Sequence, residues 1–204
     1  MKLAIIKYNA GNIQSVVNAL HRLGVEGMVT DDAEEIRSAD KVIFPGVGEA
    51  SSAMSSLKQN SLDRVIKDLR QPVFGICVGM QLLCDHSEEN DTACLGIIPV
   101  RVRRFPLALN HVDEENRTRL KVPQMGWNTI YDLSTSLFRG VPENSYIYNV
   151  HSYYAEISEF TVAKCRYGLE YAAAVQKDNF YGVQFHTEKS AETGDRIIKN
   201  FLDL

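Results

Sequence analysis

Over its first 86 residues the chain alternates apolar runs of strand length with amphipathic stretches, and no other feature constrains the fold as much. Lys2 to Lys7 predicts a buried strand. Ile13, Val16, Val17, Leu20 and Leu23 then recur at helical spacing until Gly24 stops the helix. Gly27 to Thr30 predicts a second short strand, and Asp31/Asp32 a cap for a short helix through Ile36. A third strand, Lys41 to Phe44, ends in Pro45-Gly46-Val47-Gly48. Ala50 to Arg70 predicts one long helix stopped by Pro72, and Val73 to Ile76 a fourth strand. Strands separated by helices build an α/β fold, a doubly wound, largely parallel sheet with flanking helices. Ligands of such sheets bind beyond the carboxyl ends of the strands, so function is expected in the loops after Lys7, Phe44 and Ile76.

From Gly96 onward short strands and loops take over, at Ile97 to Phe105, Asn128 to Tyr131, Ser145 to Val150, Thr161 to Arg166 and Ala172 to Gln176. These predict extra β-strands in the C-terminal half. Val175 to Phe185 predicts two strands joined around an Asp-Asn turn, followed by a closing helix from Glu192 to Leu204 with Ile197, Ile198, Phe201 and Leu202 on one side. Pro106 to Leu120 is polar and predicts a surface loop. Nothing in composition marks an internal boundary, so residues 1–204 are expected to form a single domain.

The formal charge of -4 argues against general nucleic-acid binding, which calls for a basic patch. No apolar run is long enough for a membrane span or a secretory signal. Cys77, Cys84, Cys94 and Cys165 include no C-x-x-C pair and no zinc-ligand spacing, so neither metal nor cofactor is expected. A cytoplasmic protein with reduced thiols follows, and in that setting a cysteine is either a small buried hydrophobe or a reactive group.

Gly75-Ile76-Cys77-Val78-Gly79 stands at the predicted strand-to-helix junction, the setting of a nucleophile elbow with cysteine in place of serine. A nucleophile on so sharp a turn needs neighbours without side chains two residues before and two after, because backbone and helix approach closely there. With four Cys and thirteen Gly, Gly-x-Cys-x-Gly arises by chance with a probability of about 0.016. The competing reading is a buried cysteine in a glycine-bearing turn. Cys84, on the following helix, and Cys165, in a β-rich stretch, read as core residues, and Cys94 as a loop residue without a basic partner.

A cysteine nucleophile needs a histidine to take its proton and a third group to hold that ring. His186-Thr187-Glu188 follows the apolar run Tyr181 to Phe185, and strand alternation would put His186 and Glu188 on one side, both facing the thiol. His-x-Glu alone is weak, since about 0.34 occurrences are expected by chance; the elbow gives it weight. Among the other histidines, His21 reads as solvent-facing, His86 as a cap for the elbow helix and His111 as a loop residue. His151 is open between site and structure. Attack on a carbonyl also needs N–H donors for the oxyanion. Val78 supplies one, and the Pro45-Gly46-Val47-Gly48 backbone, through Val47, the second. The absence of Gly-Lys-Ser/Thr excludes a Walker-type phosphate loop. Gln81, one turn beyond Cys77, is a candidate substrate contact or a plain helix-surface residue.

Gly75-Ile76-Cys77-Val78-Gly79-Met80-Gln81, His186-Thr187-Glu188 and the Pro-Gly-Val-Gly loop together resemble the class I (triad) glutamine amidotransferases. More narrowly, Tyr8 to Asn12, Lys121 to Asn128, His151-Ser152-Tyr153-Tyr154 and His186 to Ser190 resemble the glutaminase subunits of imidazole glycerol phosphate synthase. The resemblance runs from the first strand to the last helix. Members usually carry Pro where this chain has Thr187, His where it has Gln124, and Asp-Tyr-Gly-Met-Gly-Asn over 7–12.

The resemblance implies that Cys77 attacks the carboxamide of L-glutamine, with His186 as base and acid and Glu188 as its orienter. Gly46, Gly48, Gln81, His151, Ser152 and Tyr153 would contact substrate. Ammonia would pass to a (β/α)8-barrel cyclase subunit in a heterodimer, where a phosphorylated ribulosyl nucleotide (PRFAR) yields imidazole glycerol phosphate and AICAR in histidine biosynthesis. Asn12, Tyr148, Lys189 and Trp127 would face that partner. Three other readings compete: a glutaminase subunit for anthranilate or aminodeoxychorismate synthesis, a γ-glutamyl peptidase, and a non-catalytic binding module. Gly79-Met80-Gln81, where the chorismate-linked subunits more often have Gly-His-Gln, and Lys121 to Asn128 weigh against the first, and an intact Cys77, His186 and Glu188 against the last; turnover of γ-glutamyl peptides without a partner would mark the peptidase.

Overall fold

The computed structural model describes residues 1–9, 12–106, 112–113 and 118–204, the backbone alone at 112–113 and 118–119. Ala10, Gly11 and most of the polar stretch read as a loop between Pro106 and Leu120, His111 included, lie outside the described residues. In the first half, β1 (Leu3–Ile6), α1 (Ile13–Arg22), β2 (Met28–Thr30), α2 (Ala33–Arg37) and β3 (Lys41–Gly46) follow the expected alternation. So do β4 (Val73–Cys77) and α5 (Val78–Leu83), but α3 (Ala50–Gln59) and α4 (Leu62–Asp68) replace the single helix predicted over 50–70. Ser61, at φ 56°, breaks the run. The apolar residues Leu57 and Leu62 are buried on either side of this left-handed link, so periodicity persists across a break that it cannot reveal.

The second half adds β5 (His86–Ser87), β6 (Thr92–Ala93), β7 (Arg101–Arg104), a small β8/β9 pair (Val112–Asp113, Thr118–Arg119), β10 (Gln124–Tyr131), β11 (Ser145–His151), β12 (Tyr153–Ala155), β13 (Thr161–Arg166), β14 (Glu170–Lys177), β15 (Phe180–Val183) and α6 (Ala191–Leu202). The strand expected over 97–105 forms only at β7, because Leu83 backbone carbonyl oxygen accepts from both Ile97 and Ile98 N–H and holds that stretch against α5. β14 and β15 make the expected hairpin around Asp178-Asn179, with Asp178 at φ 51°.

The main sheet runs β2-β1-β3-β4-β15-β14-β12-β7-β5-β6, with β13 joining β14 to β10 and β11 beyond it. β2, β1, β3, β4 and β15 run parallel to one another, whereas β14 pairs antiparallel with β15, β13 and β12. Both faces of the parallel part are covered, and every residue of β1, β3 and β4 is buried. Asp32 caps α2, its carboxylate accepting from Glu34 and Glu35 N–H at 2.9 Å each. α6 buries Ile197, Ile198 and Phe201, the last stacked on Phe74 of β4 at 5.0 Å. Its terminal carbonyls at Phe201 and Leu202 accept from Lys41 Nζ at 3.0 and 2.8 Å. The strand order turns back between β1 and β3, so the crevice of such a sheet opens at the carboxyl ends of β1, β3 and β4.

Candidate active site

β4 ends at Cys77, whose φ of 54° and ψ of -114° put a β-carbon residue in a region that L-residues avoid. Such a conformation costs on the order of 1–3 kcal/mol and persists only where packing enforces it. The packing is visible at the flanking glycines. A Cβ on Gly79 would stand 1.9 Å from Phe44 O, and one on Gly75 2.9 Å from Met80 N, so the elbow closes only with hydrogen at both positions. Gly46 pairs with Cys77 in the β3/β4 ladder, and the next residue after each strand, Val47 and Val78, lines one cavity. Gly46 itself packs beneath, where a Cβ would meet Gly79 N at 2.5 Å and the Tyr8 hydroxyl at 2.7 Å. That hydroxyl donates to Pro45 O at 2.8 Å and pins the end of β3. Burial, and then the charge of Cys77, hold the Tyr8 phenol far above its ordinary value.

The cavity measures about 330 Å³ and is walled by Val47, Gly48, Cys77, Val78 and Gln81 on one side. Pro123, Val150, His151, Ser152, Tyr153, His186 and Lys189 make the other side, with Glu89 at the rim. This volume lies near the lower end of ligand pockets, which run from roughly 300 to 1,000 Å³.

His186 is buried, and its backbone is clamped to β11: its N–H donates to Tyr148 O at 2.9 Å, while Tyr148 N–H donates to Ser190 Oγ, which in turn donates to His186 O at 2.6 Å. Its Nδ1 stands 2.7 Å from Glu188 Oε1. The carboxylate can only accept there, so Nδ1 carries the proton and Nε2 is left for Cys77. Burial works against a charged ring, but hydrogen bonds to Cys77 and Glu188, and the pull of their charges, prevail and push the imidazole up to about 10. The His-x-Glu geometry differs from the strand alternation expected of it. β15 ends at Val183, and Thr187–Lys189 is a single 3-10 turn, so Glu188 bonds the imidazole of His186 from that turn and not from a strand. A Cβ on Gly194 of α6 would fall 1.9 Å from Thr187 O, so that helix is laid directly on the turn. Thr187 Oγ1 and Glu188 Oε2 are buried without a partner.

Of the remaining residues singled out in the sequence, Gln81 donates through Nε2 to Tyr153 O at 3.1 Å and to Gln184 Oε1 at 2.9 Å. It is buried and reaches the cavity, so it is no plain surface glutamine. His151 Nδ1 lies 2.7 Å from Tyr153 O and its Nε2 3.3 Å from the Tyr171 hydroxyl. Burial, against the carbonyl of Tyr153 and with His186 nearby, lowers its pKa to about 4, so the ring is neutral at physiological pH. Gln124 reaches the same Tyr171 hydroxyl at 3.0 Å. His86 does not cap α5; it lies in β5 with Nε2 at 2.8 Å from Asp91. Cys84 and Cys165 are buried core residues, and burial pushes Cys94 to about 12 and Cys165 to about 11, away from thiolate character. Glu89 and Gln184 escaped the sequence reading, since neither belongs to a spaced motif.

Lys189 is exposed at the cavity mouth. Trp127 (54% exposed) stands across the β10/β11 ladder from Tyr148, ring centroids 5.7 Å apart, with Met125 and Tyr146 exposed on the same face. Asn12, half-buried, precedes α1 without a side-chain capping bond. Among the described residues no helix is long and apolar enough to cross a membrane, and no group of three or more His, Cys, Asp or Glu is arranged to hold a metal ion.

A cysteine on a strained elbow, a buried His/Glu pair and a glycine-bearing loop at one cavity make up the layout of a glutamine amidotransferase. The family model described as glutamine amidotransferase class-I matches residues 4–204, and the chain belongs to that family. A solved glutamine amidotransferase shares its fold, with a TM-score of 0.73 at 16% identity over 100% of this chain and 98% of the other. Within the family the chain is similar to the imidazole glycerol phosphate synthase subunit HisH of Bacteroides fragilis (strain YCH46), 55% identical over 100% of both chains. It is also 45% identical to subunit HisH 2 of Legionella pneumophila (strain Lens), over 99% of this chain and 98% of that one. Identity at that level over the whole length makes it a member of the HisH group.

Proposed function

We propose that this chain hydrolyses L-glutamine through Cys77, His186 and Glu188, as the glutaminase subunit of an imidazole glycerol phosphate synthase. The observation that carries the reading is the His186–Glu188 contact of 2.7 Å at a cavity that also contains Cys77 on a strained elbow.

His186 Nε2 takes the Cys77 proton and the sulfur attacks the δ-carbon of glutamine, forming a C–S bond while the carbonyl electrons move to oxygen. Val47 and Val78 N–H, which follow the paired residues Gly46 and Cys77 of the β3/β4 ladder, receive that oxyanion. The C–N bond then breaks, and the His186 imidazolium gives its proton to the departing amine, which leaves as ammonia. Water attacks the thioester and His186 takes its proton; the C–S bond breaks and glutamate leaves. Glu188 fixes the tautomer and supports the imidazolium formed in each half-reaction. Glu89, half-buried at the rim, supplies a carboxylate for the α-ammonium group of the substrate, while Gly48, Gln81, His151, Ser152 and Tyr153 shape the wall that holds its chain.

The face of Met125, Trp127, Tyr146 and Tyr148, together with Lys189 and Asn12, is the docking surface for the cyclase subunit, a (β/α)8 barrel in a heterodimer that uses the ammonia to convert PRFAR to imidazole glycerol phosphate and AICAR. Exposed aromatics and Met are the residues that interfaces concentrate. Residues 1–204 act as a single glutaminase domain, without metal or cofactor, and the protein works in the cytoplasm.

The test is Cys77→Ser in the reconstituted complex. Glutamine-driven product formation should disappear while the ammonia-driven reaction continues. Retention of glutaminase activity, or purification with a chorismate-using partner, would overturn the reading.

A further inference from the structure

Beside the triad lies a buried chain of amides that takes no part in the proton transfers above. Gln184, fully buried at the end of β15, has its Nε2 3.9 Å from Cys77 Sγ. Its Oε1 accepts from Gln81 Nε2 at 2.9 Å, and the same Gln81 nitrogen donates to Tyr153 O at 3.1 Å. The direction of this chain is not arbitrary. A backbone carbonyl accepts and never donates, so Tyr153 O fixes the amino end of Gln81 toward itself. That nitrogen's second hydrogen is then aimed at Gln184, which must answer with its oxygen and present its own N–H to the sulfur. Both hydrogens of Gln81 Nε2 are engaged, so the group Gln81 has left to offer the cavity is its carbonyl oxygen.

We infer that Gln184 is a further catalytic residue: it donates a hydrogen bond to the Cys77 thiolate, with its polarity set from the cavity wall through Tyr153 O and Gln81. This rests on Cys77 being the nucleophile proposed above. The groups near the sulfur are His186, Tyr8, Glu89 and Lys189, with Glu188 and His151 behind or beside the imidazole. His186 supplies charge on one side, whereas Gln184 supplies a neutral donor that cannot give up its proton. The two roles are separable: the amide favours the thiolate without taking part in proton transfer. Because Tyr153 belongs to the wall facing the ligand, a substrate that shifts this carbonyl alters the donor seen by the sulfur.

The experiment follows alkylation of Cys77 by iodoacetamide against pH in the full chain, with peptide mass spectrometry to separate Cys77 from the other three cysteines. It requires no glutamine turnover, so it stands apart from the assay of the proposed function. Hydrogen bonds to charged groups are stronger than neutral ones, and a contact of 3.9 Å is among the weaker of them. Gln184→Met, which keeps the volume and removes the donor, should therefore raise the pH of half-maximal alkylation by about one unit, a tenfold loss of reactive thiolate at neutral pH. Gln184→Glu, which faces the sulfur with an acceptor, should raise it further. Gln81→Met leaves Gln184 in place but frees it to turn over, and should raise the midpoint in the same direction; it carries the test if residue 184 tolerates no change. A purely packing role predicts midpoints within about 0.2 unit of the parent for every variant that unfolds at the parent's temperature, and that result, or any downward shift, overturns the assignment.

Discussion

Gly79→Ala tests how the elbow couples fold to catalysis. The added Cβ would lie 1.9 Å from Phe44 O, 3.0 Å from Phe44 C and 3.3 Å from Pro45 C. A carbon–oxygen contact needs about 3.3 Å, so α5 and the end of β3 must part by about 1.4 Å. The atoms in collision are backbone, and no rotamer change relieves them. Alanine in place of glycine within a helix is worth about 1 kcal/mol in favour, against up to about 3 kcal/mol for an overpacked core. The net is a loss of about 1–2 kcal/mol, or a fall of roughly 2–8 °C in Tm for a chain of this size. Catalysis should suffer far more, because the same movement draws Val78 away from Val47 and carries the sulfur with it. Misplacement by about 1 Å costs on the order of 100-fold. Glutamate release in the presence of the cyclase partner should therefore drop about 100-fold in kcat/KM while thermal unfolding shifts by only a few degrees. Gly24→Ala is the control: nothing lies within 4 Å of its Cβ, but its φ of +71° penalises any side chain. It should lose comparable stability, about 1–2 kcal/mol, and keep full activity. If Gly79→Ala retained more than a tenth of kcat/KM, or Gly24→Ala lost as much activity, the geometric reasoning would be refuted.

Four further outcomes can be measured directly. Glu89→Gln should raise KM for glutamine about tenfold or more with kcat little changed, since it removes an anchor remote from the reacting carbon; an unchanged KM would remove Glu89 from substrate binding. Thr187→Val deletes a buried hydroxyl that has no partner and should raise stability by about 1 kcal/mol in denaturant titration, whereas a loss would mean the hydroxyl is satisfied by bound water. For His151 the folded-state pKa of about 4 lies below the ordinary 6.5, so the unfolded chain takes up the proton first as pH falls. Its contribution is complete above pH 6.5 and is lost toward pH 4, about 2–3 kcal/mol by pH 4.5, and His151→Asn should flatten that acid limb. His186 has the opposite sign: raised to about 10, its contribution is complete below pH 6.5 and is lost as pH climbs to 10, so stability profiles of the two single variants should diverge on opposite sides of neutrality.

The parallel half of the fold was legible because buried parallel strands are apolar throughout and the intervening helices are not; β1, β3 and β4 stand where the alternation puts them. The elbow was legible for a related reason. Gly75 and Gly79 are local consequences of a close approach, so they leave a spaced trace. The bend at Ser61 left none, since a left-handed residue between two buried leucines changes neither composition nor period. Glu188 was found at the right spacing for the wrong geometric reason, a 3-10 turn in place of a strand. Gln184 and Glu89 were invisible because each acts across the fold, 107 residues from its thiol partner in the one case and 39 from the helix start it bonds in the other. Such contacts are made by the folded sheet, and no local pattern encodes them.

The chain contains a single tryptophan, and that residue, Trp127, stands half in solvent on the β10/β11 face against the edge of Tyr148. Its ultraviolet emission is therefore a native reporter of one square nanometre or so of surface, with no dye and no background from elsewhere in the chain. Covering that face withdraws the indole from water and moves its emission to shorter wavelength. With the docking surface proposed above, titration with a tryptophan-free version of the cyclase would turn the colour of one side chain into an association curve, and an emission that did not move would take the partner off this face.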